Sequence, residues 1–88
     1  MFELYPKWQG KQVRPSRSAD KEIRHLCIDL DYIVKILEDG YDCPRSKRKV
    51  GTIERCYKTG KKIIKVVVVK SVTQWNSESV WLITHVGD

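Results

Sequence analysis

Three residues in the C-terminal half have side chains suited to proton transfer and phosphate stabilisation. Arg55 and Tyr57 stand two apart in a stretch rich in β-formers, a spacing that sends both side chains from one face of a strand. His85 follows Trp81 and Ile83 at the same parity. Cleavage of RNA by its own 2′-hydroxyl has three requirements. The hydroxyl must lose a proton, the pentacovalent phosphate must be stabilised, and the leaving oxygen must gain a proton. An arginine meets the second. A tyrosine, or a histidine with its ordinary pKa near neutrality, meets the other two. His25, beside Arg24, is a further candidate for proton transfer. Plainer readings stand beside these: Arg55 and Tyr57 as a cross-strand packing pair, His85 as a strand-edge residue, His25 as a solvated helix position.

Groups able to hold a polyanion surround the three. Arg45, Lys47, Arg48 and Lys49 form a basic run after Pro44, and Lys58, Lys62 and Lys65 follow in the next stretch. Trp75 sits in a polar connection, where its ring suits either base stacking or closing the edge of a core. The net charge of +6 hides a segregation: +3 over residues 1–19, −4 over 20–42, +9 over 43–70 and −2 over 71–88. One stretch thus exceeds the whole net charge. Such a field favours phosphates through counterion release, and a Lys-rich sheet edge that blocks aggregation has the same composition.

Other chemistries are poorly supported. There is no Gly-rich phosphate loop, no paired catalytic carboxylates and no Ser-His-Asp arrangement. Cys56 lies beside Arg55, but no base accompanies it to form a nucleophile constellation. Cys27, Cys43 and Cys56 are an odd count with no close pair, a poor disulfide framework and, without Cys-x-x-Cys or His-x-x-His, a poor zinc site. No metal and no cofactor is expected. Eighty-eight residues with 41% hydrophobic content make one modest core. The apolar run 66–69 is far shorter than the roughly 20 residues of a membrane span. The start lacks the continuous apolar segment of a secretory signal. A single cytoplasmic domain is expected, with no membrane partner.

The elements that position these residues follow from periodicity. Ala19, Ile23 and Leu26 share a helical face after Ser18, a plausible cap, with Asp20 and Glu22 in the first turn. Asp29 caps a second helix whose stripe is Leu30, Ile33, Val34, Ile36 and Leu37, and Gly40 is expected to stop it with a positive φ. The pattern predicts helices over 18–27 and 29–39, then strands over 51–57, 62–72 and 80–86 with a turn at Gly60. Residues 1–12 read as an arm or irregular start, with a short strand at 12–14. The expected fold is α+β: two N-terminal helices packed on one face of a small antiparallel sheet, the other face left for solvent or a ligand. The expected core is Ile23, Leu26, Ile33, Ile36, Leu37, Val66, Val68 and Leu82.

This pattern resembles a widespread prokaryotic group of short domains allied to the BrnT and RelE/ParE toxins. The order Ser16-Arg17-Ser18-Ala19, Ile23-Arg24, Cys27-Ile28-Asp29 and Ile33 through Gly40 is similar to that family's helical half. Gly51-Thr52-Ile53-Glu54, Gly60-Lys61, Ile64-Lys65-Val66-Val67-Val68 and Trp81-Leu82-Ile83-Thr84-His85-Val86 are similar to its strands, so the likeness covers about residues 13–87. The family's helix-start His falls on Ser18 here, and the Arg of its Arg-Gly-Ile falls on Leu26. The resemblance implies a RelE-like fold whose open sheet face binds RNA, cleavage of messenger RNA on the ribosome, and an antitoxin that wraps the toxin. Some relatives poison gyrase instead.

Two classes of function therefore stand. One is a toxin-like RNA-binding protein acting as a metal-independent ribonuclease of a toxin–antitoxin system, with Arg55, Tyr57 and His85 catalytic. Its binding residues are Arg45, Lys47, Arg48, Lys49, Lys58, Lys62, Lys65 and Trp75, and its partners are RNA or the ribosome and an antitoxin-like protein. The other is a non-catalytic α+β module that binds a protein or nucleic acid. Either is compatible with a homodimer.

Overall fold

The computed structural model describes residues 5–43, 51–73 and 77–87. In chain order these form β1 (Lys7–Trp8), β2 (Lys11–Pro15), α1 (Arg17–Leu26), α2 (Leu30–Asp39), β3 (Tyr41–Asp42), β4 (Thr52–Thr59), β5 (Lys62–Val72) and β6 (Ser79–Gly87). They build one six-stranded sheet in the order β1-β2-β6-β5-β4-β3. The sheet is mixed: β2 runs parallel to β6, and the remaining neighbours are antiparallel.

This corrects the expected fold. The helices are not N-terminal, because β1 and β2 precede them, and the sheet is not antiparallel throughout. Strands make up 51% of the described residues against 27% for helix, so the sheet dominates the molecule. Proline and glycine disguise the first hairpin as an arm. Gln9 and Gly10 both have positive φ, 53° and 77°, the backbone of a two-residue hairpin turn between Trp8 and Lys11. Pro15 is tolerated because it ends β2. What holds β2 is pairing with β6, from Gln12 opposite Val80 to Pro15 opposite Ile83. Such distant pairing leaves no local mark in the sequence.

The helix ends also differ from expectation. Ser16, not Ser18, caps α1: its hydroxyl accepts the Ala19 N–H at 3.2 Å. Asp29 caps α2 as expected, accepting the Tyr32 N–H at 2.8 Å. Cys27 ends α1 in the left-handed region, φ 57°, with its N–H on Arg24 O and the Ile28 N–H on Ile23 O, the paired bonds of a Schellman motif. Gly40 has φ −73°. It is needed for a different reason, since a Cβ there would meet the Ile36 carbonyl and stand 2.7 Å from the Cys56 carbonyl oxygen.

Ile23, Ile33, Ile36 and Leu37 pack onto Val13, Ile64, Val66, Val68, Trp81, Ile83 and Val86. Trp8 packs on Trp81, ring centroids 5.4 Å apart. Leu26 and Leu82, expected in the core, are only half-buried. Leu82 stands opposite Val69 and Arg14 on the sheet side that the helices leave uncovered. Cys43 and Cys56, both 7% exposed, form a disulfide with Cα atoms 5.3 Å apart. The expectation of no disulfide fails because β3 returns after α2 to pair with β4, which brings together residues that spacing keeps apart.

Candidate functional site

His85 meets an acid that lies far from it in sequence. Pairing of β2 with β6 stops at Pro15 and Ile83, and the Ser16 N–H gives the last link, to Ile83 O at 2.9 Å. Past that point the chain has turned into α1, and among the described residues the edge of β6 has no neighbouring strand there. Glu22 of α1 takes its place. One carboxylate oxygen accepts the Val86 N–H at 3.1 Å, and the other lies 3.1 Å from His85 Nδ1.

The direction of His85 depends on a register shift. On β5 and β6, Val68 stands opposite Ile83 but Val67 stands opposite His85, an irregularity that absorbs Thr84. Ile83 and Val86 are therefore both buried, and His85 leaves the core side although it shares parity with Ile83. Its side chain is 51% exposed and that of Glu22 33%. The pair opens on a cavity of about 530 Å3 lined by Lys21, Glu22, His25, Leu26, His85 and Gly87, with Val86 at its wall.

A histidine held this way has a defined tautomer. With Nδ1–H donated to Glu22, Nε2 carries the lone pair and acts as acceptor. Among the described residues Nε2 has no hydrogen-bond partner, and a Cβ at position 87 would stand 3.1 Å from it, so Gly87 keeps that nitrogen uncrowded. Lys21, on the preceding position of α1, adds an exposed positive charge with no ion-pair partner among the described residues. Among those residues no group of three His, Cys, Asp or Glu is placed to hold a metal ion.

Arg55 and Tyr57 lie elsewhere. They do share a strand face, as their spacing requires, but it is the face the helices cover. Arg55 pairs with buried Val66 and Tyr57 with buried Ile64. The Arg55 guanidinium stands 5.9 Å from the Trp8 ring, and its Nε is 3.7 Å from Asp42, within ion-pair range but beyond hydrogen-bond reach. The Tyr57 ring meets that of Tyr32 edge-on at 6.2 Å. No hydrogen bond or ion pair joins either residue to His85 among the described residues. On the opposite face, Lys65 is engaged with Glu54 at 2.7 Å. Lys58 and Lys62 are exposed near the β4–β5 turn. Arg45, Lys47, Arg48, Lys49 and Trp75 lie outside the described residues.

Sequence reasoning singled out His85 and His25 but missed Glu22 and Lys21. Glu22 and His25 are three apart and share a helix face, and that was the one local signal. Comparison of the chain with protein-family models, curated proteins and solved structures finds no match. No helix among the described residues is long and apolar enough to cross a membrane.

Proposed function

We propose that the protein is a toxin-like RNA-binding protein that cleaves single-stranded RNA without a metal, with His85 as the proton-transfer group. The observation that supports this most is His85 Nδ1 held by Glu22 at the mouth of a cavity that Lys21 also lines. In this reading His85 Nε2 takes the proton of the 2′-hydroxyl. The 2′-oxygen then bonds to phosphorus, the bond from phosphorus to the 5′-oxygen breaks, and that oxygen leaves with the proton His85 Nε2 had gained, which restores the neutral imidazole. The products are a 2′,3′-cyclic phosphate and a free 5′-hydroxyl. Glu22 fixes the tautomer and offsets the charge of the imidazolium, and Lys21 faces the charge that builds on the phosphoryl oxygens. Arg55 and Tyr57, packed against the helix layer, support the sheet beneath. An antitoxin-like protein is the proposed partner in the cell.

The test is incubation of the full chain with end-labelled single-stranded RNA in the presence of a chelator. Cyclic-phosphate products are expected, with His85→Ala lowering the rate by about 10²-fold or more, the scale of general acid–base catalysis. A His85→Ala protein as active as the parent would overturn the assignment. Binding without any cleavage would favour a non-catalytic module, in which Glu22 serves only to cap the edge of β6.

A further inference from the structure

Most of helix α1 lies in the part of the chain whose sequence charge is negative, yet its outward face is basic. Arg17, Lys21, Arg24 and His25 are all exposed. Their spacing places them along one side of the helix, spanning about 12 Å. The acids of α1 are engaged: Asp20 with Arg24 at 3.2 Å, and Glu22 with His85 and Val86. Arg17 and Lys21 have no ion-pair partner among the described residues. The stripe joins two cavities. At the C-terminal end of α1 is the one that His85 and Lys21 line. At its N-terminal end is another of about 490 Å3, lined by Tyr5, Ser16, Arg17, Asp20, Arg24 and Leu30. There the Arg14 guanidinium lies over the Tyr5 ring, 4.7 Å from its centroid.

We infer that α1 is a phosphate track, carrying single-stranded RNA from a base seated beside Tyr5 to the phosphate at His85. The inference rests on the RNA reading of the His85 site and names how that site is fed. Charge complementarity selects a polyanion. The aromatic ring and cavity at one end select unstacked bases over a duplex or an acidic peptide. On the β4–β5 hairpin, by contrast, Lys65 is engaged with Glu54 and Arg55 turns toward the helix layer.

Fluorescence anisotropy on a short labelled oligoribonucleotide tests this, using the full chain with His85→Ala so that RNA is not consumed. Arg17→Gln and Lys21→Gln should each flatten the log–log salt dependence of affinity by about 0.7, the value for one phosphate contact on a single strand. Lys35→Gln, an exposed lysine on α2, should leave it unchanged. Tyr5→Leu should weaken binding roughly tenfold without altering the slope, since stacking releases no counterions. If that variant does not fold, the two charge variants decide. RNA bound with the parent slope by both would overturn the track and leave the His85 reading intact. Loss of slope in a protein whose His85 form cleaves no RNA would retain the track and overturn the ribonuclease. No RNA binding at low salt overturns both. Polyglutamate bound as tightly as RNA, with the same variants affected, would overturn the track in favour of an acidic protein partner.

Discussion

Glu22 does two things with one carboxylate: it closes the edge of β6 at Val86 and it orients His85. The amide variant separates them. Glu22→Gln keeps an oxygen able to accept the Val86 N–H but removes the charge that supports an imidazolium and fixes the tautomer. RNA affinity and thermal stability are expected to stay near the parent values, with cleavage slowed about 10²-fold; equal slowing of Glu22→Gln and Lys35→Gln would sink the assignment. Beyond its spacing to His25, nothing local announces Glu22. An acid in the first turn of a helix is ordinary complement to the helix dipole, and its role here comes from β6 outrunning β2, a property of strand lengths in two distant segments. His85 was legible by residue type. Arg55 and Tyr57 were legible as a pair on one face, but which face the helices cover is decided by the whole sheet, and neither residue's type encodes it.

Among the elements, both helices and the three long strands were legible because each carries its own periodicity or β-branched run. The runs at 19–26 and 30–37 and the valines of β5 need no partner to be read. Of the short strands, β2 was legible only as a short strand at 12–14, and β1 and β3 were not, since two residues carry no period and are held by pairing alone. Helix ends show the same limit. Gly40 was expected to supply positive φ, yet that conformation belongs to Cys27, and Gly40 is there to let α2 approach β4. Two substitutions make this measurable by urea unfolding. Cys27→Gly should stabilise the protein by up to about 1 kcal/mol, the relief of an L-residue held in the left-handed region. Gly40→Ala should cost about 1–3 kcal/mol through the clash with the Ile36 and Cys56 carbonyls. A Gly40→Ala protein no less stable than the parent would mean that the two carbonyls leave room for the methyl group.

At the scale of the whole molecule, a strand from the N-terminal segment is bound into the far side of the sheet, next to the last strand of the chain. The cavity proposed as the RNA site sits at the seam where that parallel pairing ends. At the other edge the disulfide between Cys43 and Cys56 makes part of the backbone a covalent ring. Five tryptic sites fall inside it, after Arg45, Lys47, Arg48, Lys49 and Arg55. A single cut after any of them opens the ring without separating the pieces. Such a nicked chain keeps the mass of the parent plus one water and runs as one band until a thiol reductant is added, when it divides into two. A nick in this ring that released two fragments without reductant would show that Cys43 and Cys56 are not bonded in solution. The most basic stretch of the protein can therefore be severed while its charges remain attached to both halves, so loss of backbone continuity there and loss of the protein are different events.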